Sequence, residues 1–247
     1  MIVAIVQARM GATRLPGKVL KEIGGTSILE FQVDRIRRSG LVEEVVVATS
    51  CEPQDQKIVE YCKFHGISCF VGSENDVLSR YHDCAVERSA STVVRLTADC
   101  PFIDPVIIDQ VISLRQTSGA DFAANTVPPE TSGWPDGSDV EVFSMQALSE
   151  AHREAKTYEE REHVTFFFWK NIDRDRFRTV QLSNSEDWSK YRFTLDYPED
   201  YEVVVKVFSE LRRRGQFGYV HEVIHVLKDH PNIATLNSKY YFGIGWK

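Results

Sequence analysis

Short runs of apolar, β-branched residues alternate with amphipathic helical patterns along the first half of the chain. Runs and patterns follow one another as Ile2–Val6, Ser27–Arg38, Val45–Ala48, Gln54–Phe64, Ser68–Val71, Val77–Ser89, Thr92–Leu96 and Pro105 to about Gln116. Gly40 and Gly66 follow two of the helical patterns, which is typical of helix C-termini. This order predicts an α/β fold, a Rossmann-like, mainly parallel sheet with helices on both faces.

The second half of the chain is patterned less regularly. Residues 127–137, VPPETSGWPDG, are too rich in Pro and Gly for regular structure, so we expect a mobile loop over the site. The remaining patterns predict a strand in VEVF, helices at Met145–Ala155 and Tyr158–Asn171, strands around Arg178–Leu182 and Tyr191–Leu195, and helices at Glu199–Arg214 and Val220–Lys228. We therefore expect one domain over residues 1–247, with a loop or insertion around 126–182.

Composition excludes several classes of protein. With 247 residues and 43% hydrophobic content, the chain can bury a large core without disulfides or a structural metal. A net charge of −7 argues against bulk nucleic-acid binding. Its five cysteines lack CxxC spacing, which argues against a disulfide framework or a zinc knuckle. The N-terminus lacks the pattern of a signal peptide, and no segment reaches the roughly 18 apolar residues of a membrane span. We expect a cytoplasmic protein.

The segment QARMGATRLPGK, Gln7 to Lys18, follows the first predicted strand directly. Gly11 and Gly17 let the backbone approach a ligand, and the segment carries three cations, Arg9, Arg14 and Lys18. It has neither the spacing of a P-loop nor a G-x-G-x-x-G fingerprint. The pattern indicates a polyphosphate site, with a solvated basic turn as the alternative.

Asp99 follows the predicted strand Thr92–Leu96, and ligands of open parallel sheets bind at the carboxyl ends of strands. A carboxylate that faces a triphosphate there can hold Mg²⁺. The alternative is a turn residue before Pro101. Asp196 precedes a helix start, so taken alone it is interpreted as an N-terminal cap.

These segments resemble the cytidylyltransferases that activate acylneuraminate and KDO, in particular the spore-coat polysaccharide branch of that family. The similarity continues through GSENDVLSRY, RLTADCPFIDP, PDGSDVEVF, REHVT and RFTLDYPEDYE. It implies a nucleotide-diphospho-sugar transferase fold of GT-A-like type, CTP as a substrate and a homodimer, with residues 126–182 forming the acceptor and dimer region.

The resemblance also implies roles for individual residues. Arg9, Thr13 and Lys18 would hold the triphosphate, and Ala8 and Arg9 would lie beneath the base and ribose. Asp196 would join Asp99 as the second Mg²⁺ ligand. Arg80 would border the nucleotide pocket, with an exposed helical arginine as the alternative.

Recognition of the acceptor sugar is predicted for Asp139, Glu141, Arg161 and His163. Carboxylates accept hydrogen bonds from sugar hydroxyls, and an acidic sugar also needs a cation, for which Arg161 is available. Strand alternation places Asp139 and Glu141 on the same face. The alternative is an exposed strand face and helix salt bridges made by Glu159 or Glu160.

The segment His221 to His225 matches the zinc-protease pattern H-E-x-x-H. No acidic residue after Asp229 supplies a third ligand, and the apolar stripe of this helix leaves both histidines on its solvent side. We therefore set zinc proteolysis aside.

Together with these residues, the resemblance implies an enzyme in which a hydroxyl of a sugar, in particular of a nonulosonic or other sugar acid, attacks the α-phosphorus of CTP. Arg9, Lys18, Asp99 and Asp196 are the predicted catalytic residues, and the product is a CMP-sugar for surface polysaccharide. The alternatives are a sugar-1-phosphate nucleotidyltransferase, whose G-x-G-T-R loop is absent here, and a non-catalytic nucleotide-binding subunit of the same fold.

Overall fold

The structure is a computed structural model and describes residues 1–170 and 176–244. Its strands are β1 (Ile2–Gln7), β2 (Glu22–Ile23), β3 (Thr26–Ser27), β4 (Glu44–Ser50), β5 (Ser68–Gly72), β6 (Thr92–Thr97), β7 (Phe122–Ala124), β8 (Glu141–Ser144) and β9 (Thr179–Gln181). Its α-helices are α1 (Ile28–Ile36), α2 (Gln56–Phe64), α3 (Val77–Glu87), α4 (Pro105–Ser118), α5 (Met145–Glu154), α6 (Tyr158–His163), α7 (Phe166–Trp169), α8 (Pro198–Arg214), α9 (Val220–Asp229) and α10 (Pro231–Ala234).

The main sheet has the strand order β5-β4-β1-β6-β8-β7-β9. Strand β8 pairs antiparallel with both of its neighbours, whereas β1, β4, β5 and β6 form parallel pairs, as do β7 and β9. Strands β2 and β3 form a separate two-stranded ribbon. The predicted mixed, mainly parallel sheet is confirmed.

Helices cover both faces of this sheet because successive side chains of a strand point to opposite sides. Val3 and Ile5 belong to a buried cluster with residues of α3 and α5. Ala4 and Val6 belong to a second buried cluster, with residues of α1, α4, α8 and α9. The central strand β1 is therefore buried on both sides, as its continuous apolar run indicates.

Several elements differ from the sequence prediction, including the following three. Residues 191–195 form no ladder strand; their backbone makes one isolated bridge, between Arg192 and Asp136. The predicted helix Tyr158–Asn171 is broken at Val164, whose φ is +53°, and its last residue, Asn171, lies outside the described residues. Strand β7 had no prediction, because three residues are too few to show a period.

The loop at 127–137 is held to the segment that follows β9. Asn184 N–H donates to Ser132 O at 2.8 Å, and Trp188 N–H donates to Gly133 O at 2.8 Å. The indole of Trp134 donates to Leu182 O at 2.6 Å. These bonds give the loop a defined path along the site, whereas its predicted mobility stays a prediction.

None of the helices within residues 1–170 and 176–244 is both long enough and apolar enough to cross a membrane.

Candidate active site

A cleft of about 550 Å³ opens at the carboxyl ends of β1 and β6. The predicted nucleotide residues that line it are Ala8, Arg9, Gly11, Thr13, Arg14, Lys18 and Asp99. Asp196, Asp139, Glu141 and His163 line the same cleft. The structure thus brings together segments that lie far apart in the chain.

The loop after β1 is fixed by its own backbone and by a neighbouring loop. Met10 N–H donates to the carboxylate of Asp55 at 2.6 Å, and Gly17 N–H donates to Met10 O at 3.1 Å. Gly17 has a φ of +66°, a conformation that favours glycine. This turn directs Lys18 back toward the ends of the strands.

Lys18 lies between the two predicted metal ligands. Its ammonium is 3.0 Å from Asp99 Oδ2 and 3.0 Å from Asp196 Oδ1, and it donates to Leu195 O at 2.5 Å. Burial alone lowers the pKa of Lys18, but attraction to Asp99 and Asp196 outweighs it and the pKa is raised. Burial likewise opposes ionisation of Asp99, yet Lys18 lowers its pKa. Asp99 is therefore held charged, and it shares one cation with Asp196.

Arg192 fixes the position of Asp196. Its guanidinium pairs with Asp136, with Asp196 at 3.0 Å and with Asp200 at 3.0 Å. The carboxylate of Asp200 also accepts the N–H groups of Asp196 and Tyr197, each at 2.9 Å. Asp200 therefore accepts the backbone N–H groups at the start of α8, where Tyr197 is the N-cap residue. The alternative that Asp196 caps this helix is wrong.

Gln32 fixes the loop that carries Asp99. This residue of α1 is fully buried, and its amide donates to Thr97 O at 2.8 Å and to Cys100 O at 2.9 Å. Both carbonyls belong to the turn around Asp99. The alternative of Asp99 as an ordinary turn residue does not account for its ion pair with Lys18.

Asp139 and Glu141 both line the cleft, although only Glu141 lies in strand β8 and Asp139 precedes it. Asp139 accepts from Thr126 Oγ1 at 2.8 Å and from Gly137 N–H at 2.9 Å, and burial raises its pKa to about 6. Glu141 forms an ion pair with Arg95 and accepts from Thr165 Oγ1 at 2.6 Å.

His163 lies beside this pair, and burial followed by repulsion from Arg95 lowers its pKa to about 4. The histidine is therefore neutral near pH 7. A neutral imidazole can both donate and accept a hydrogen bond.

Arg80 and Arg161 are not among the described residues that line the cleft. Arg80 is 2% exposed and donates to Ser73 O at 2.6 Å, so the alternative of an exposed arginine is wrong as well. Arg161 pairs with Asp76 at 2.6 Å and donates to His152 O and Ala155 O. Both guanidiniums make their contacts around α3: Arg80 with the Ser73 carbonyl, and Arg161 with Asp76 and two backbone carbonyls.

The sequence analysis missed five residues that shape the site: Gln32, Arg95, Asp136, Glu162 and Arg192. Gln32 could have been found from the sequence, because it is a polar residue on the apolar, buried face of an amphipathic helix. The pairing of Arg192 with Asp136 carried no such signal, because the two residues lie 56 positions apart in the sequence and meet only in the folded chain.

His221 and His225 are exposed on α9, as the apolar stripe of that helix predicts. Their ring centroids are 6.1 Å apart in an edge-to-face arrangement. This geometry supplies no argument for a zinc centre on α9.

The profile of the family described as "Cytidylyltransferase" matches residues 3–224. Spore coat polysaccharide biosynthesis protein SpsF of Bacillus subtilis (strain 168) is 31% identical over 242 residues, covering 95% of this chain and 97% of that protein. A solved cytidylyltransferase from Leptospira borgpetersenii serovar Hardjo-bovis (strain JB197) is 36% identical, with a TM-score of 0.88 over 97% of this chain and 98% of that one.

A CMP-2-keto-3-deoxy-manno-octonic acid synthetase solved in complex with CTP shares the fold, with a TM-score of 0.63 and 16% identity over 85% of this chain and 98% of that one. At 16% identity, this similarity shows a shared fold and nothing more. The longer matches cover nearly the whole chain, including the loop after β1 and the segments around Asp99 and Asp139. This chain belongs to the cytidylyltransferase family of nucleotidyltransferases.

Proposed function

We propose that this protein transfers the cytidylyl group of CTP to a hydroxyl of a sugar, giving a CMP-sugar and pyrophosphate for surface polysaccharide. The observation that carries the proposal is the meeting of Lys18 with Asp99 and Asp196 in one cleft, beside Arg9 and Arg14. A cationic loop and two carboxylates are the components that phosphoryl-transfer sites use for positioning and charge neutralisation.

The transfer is an in-line displacement. A bond forms between the hydroxyl oxygen and the α-phosphorus, the bond to the oxygen that bridges the α- and β-phosphates breaks, and the hydroxyl proton passes to solvent. Arg9, Arg14 and Lys18 would bind the phosphates and stabilise the leaving pyrophosphate. Thr13 and Gly11 would add hydroxyl and backbone donors, and Ala8 would pack beneath the nucleoside.

Asp99 and Asp196 fit a magnesium ion, because their oxygens already converge on one cation and hard carboxylate oxygens suit Mg²⁺. When bound, the ion supplies polarisation of the α-phosphate. Arg192 would keep Asp196 aimed at it, and Gln32 would do the same for Asp99.

The acceptor would bind at Asp139, Glu141 and His163. Thr126 donates a hydrogen bond to one carboxylate oxygen of Asp139, and Gly137 donates to the other. The carboxylate can accept a further hydrogen bond, which a sugar hydroxyl would donate. A sugar acid is the acceptor class that the family resemblance favours. Arg161, the cation predicted for its carboxylate, is paired with Asp76, so neutral sugars belong in the same test.

The test is a pyrophosphate-release screen of the four nucleoside triphosphates, with and without Mg²⁺, against sugar acids, neutral sugars and sugar 1-phosphates. We expect Mg²⁺-dependent release from CTP with a sugar that has a free hydroxyl at the anomeric carbon. Release with sugar 1-phosphates alone would favour the sugar-1-phosphate alternative. CTP binding without turnover of any acceptor would contradict the proposal and favour a non-catalytic role. A homodimer formed through residues 126–182 and a cytoplasmic location stay predictions.

A further inference from the structure

We propose that Lys18 is an internal counter-ion that excludes a divalent metal from Asp99 and Asp196. A bound nucleoside triphosphate would draw the Lys18 ammonium away and so open the site to the metal. The inference rests on the proposed function, because it concerns the same metal position. It adds an order of events: metal and nucleotide enter together, and the free enzyme has low affinity for the metal alone.

The first argument is that Lys18 is bound as fully as a lysine can be. An ammonium has three donors, and three oxygens receive them: Asp99 Oδ2, Asp196 Oδ1 and Leu195 O. The side chain is only 12% exposed. It is therefore held at this position by charge and hydrogen bonds and is not a surface lysine that happens to lie nearby.

The second argument is that Asp196 has little remaining capacity for another cation. Its Oδ1 faces Lys18 at 3.0 Å and Arg14 at 3.7 Å, and its Oδ2 faces Arg192 at 3.0 Å. Arg192 is anchored by buried Asp200 and by Asp136, so it cannot leave without leaving those carboxylates unpaired. Lys18 is the partner that can move.

The third argument is that a metal and Lys18 need the same oxygens. A divalent ion that joins Asp99 to Asp196 would compete with the ammonium for Asp99 Oδ2 and Asp196 Oδ1, and two cations so close repel each other strongly in a half-buried site. Metal binding without nucleotide must therefore break the two hydrogen bonds from Lys18 to these carboxylates and leave its charge unpaired.

The fourth argument is that a triphosphate removes this cost. Lys18 follows a loop whose other cations, Arg9 and Arg14, line the same cleft with side chains 48% and 40% exposed. A triphosphate bound by this loop would offer the ammonium new anionic oxygens while the metal takes over the carboxylates. Nucleotide and metal then favour each other's binding, which is a coupling between two ligands.

The experiment measures Mn²⁺ binding to the full chain without nucleotide, by the loss of the free-ion signal in electron paramagnetic resonance. We expect weak binding to the wild type and at least tenfold tighter binding to Lys18→Met, which has a similar length and no charge. Lys21→Met is the matched control, because Lys21 lies over the ring of Tyr201 and is not among the residues that line the cleft. It should bind Mn²⁺ as the wild type does.

Lys18→Gln guards against a folding defect, since its amide can still donate to one carboxylate. It should also tighten Mn²⁺ binding, and thermal melting checks that both variants are folded. Equal Mn²⁺ affinities of wild type, Lys18→Met and Lys18→Gln would overturn the inference.

Asp99→Asn separates this failure from failure of the proposed function. If Asp99→Asn weakens Mn²⁺ binding while the Lys18 variants leave it unchanged, the metal position stands and the counter-ion role is wrong. If neither Asp99→Asn nor the Lys18 variants change Mn²⁺ binding, the metal position itself is wrong.

Discussion

Arg192 and Asp200 form a bidentate ion pair, in which Arg192 Nε donates to Asp200 Oδ1 and Arg192 Nη2 donates to Asp200 Oδ2, each at 3.0 Å. Asp200 has no exposed surface, and Asn237 donates to it as well, at 2.8 Å. The pair joins the segment before α8 to the first turn of that helix. It therefore sets where Asp196, between the two, enters the cleft.

Replacing Arg192 by Met should destabilise the protein by roughly 3–5 kcal/mol, because Asp200 and Asp136 would be left buried without their cation. Urea denaturation measures the change. Arg213→Met is the control, since Arg213 pairs with Glu210 on an exposed helix face and its loss should matter little. Equal stability losses in the two variants would show that the Arg192 cluster is not a structural anchor.

Replacing Gly137 by Ala should destabilise the protein by roughly 2 kcal/mol or more and lower activity. Gly137 has a φ of +108°, and a Cβ there would lie 2.5 Å from Thr194 N, a backbone atom that cannot move aside easily. The strain would displace Asp136 and Asp139, which flank the turn.

Gly66→Ala is the matched control for Gly137→Ala, because Gly66 also has a positive φ, +63°, but a Cβ there meets nothing within 4 Å. Its cost should be about 1–2 kcal/mol, without loss of activity. Thermal melts and pyrophosphate release distinguish the two variants. A Gly137→Ala protein as stable and active as Gly66→Ala would contradict the clash.

Replacing Asp99 by Asn should lower kcat by about 100-fold or more and leave the protein folded. The change removes one charge at nearly constant volume, and Lys18 keeps Asp196 and Leu195 O as partners. Steady-state pyrophosphate release at saturating CTP measures it. Asp34→Asn, on the exposed side of α1, should retain wild-type activity. Near-normal turnover of Asp99→Asn would remove Asp99 from the catalytic residues.

Replacing His163 by Asn should flatten the pH dependence of stability between pH 4 and 6.5. Burial lowers the pKa of His163 to about 4, so the unfolded chain binds the proton in this window and the folded protein does not. His163 therefore makes the free energy of unfolding rise as pH increases. Urea denaturation at pH 4.5, 5.5 and 6.5 compares the slopes of variant and wild type.

Asp139 acts in the opposite direction in the same range. Burial raises its pKa to about 6, so the folded state binds more protons, and its stabilising contribution is lost as pH rises through that value. Asp139 is present in both the wild type and His163→Asn, so its contribution cancels when the two slopes are compared. Parallel curves for the two proteins would mean that His163 is not buried in its neutral form.

The sequence by itself determined the order of most strands and helices and the cationic character of the loop after β1. Apolar runs such as Ile2–Val6 have one stable location, the middle of a parallel sheet, and loops after parallel strands meet at one edge. For that reason Arg9, Lys18 and Asp99 could be assigned to one site from local pattern. Alternation along a strand is also local, and it placed Asp139 and Glu141 together; both residues line the cleft.

Only the tertiary structure decided which charges are paired. Lys18 meets Asp99 and Asp196 across 81 and 178 positions of sequence, and no local pattern encodes such a distance. Arg161 looked available for an acid because its partner Asp76 lies 85 positions away. Residues 191–195 have the pattern of a strand, yet one backbone bridge and the ion pairs of Arg192 hold them outside the ladder. Burial and the pairing of charge depend on contacts between distant segments, and these exist only once the chain has folded.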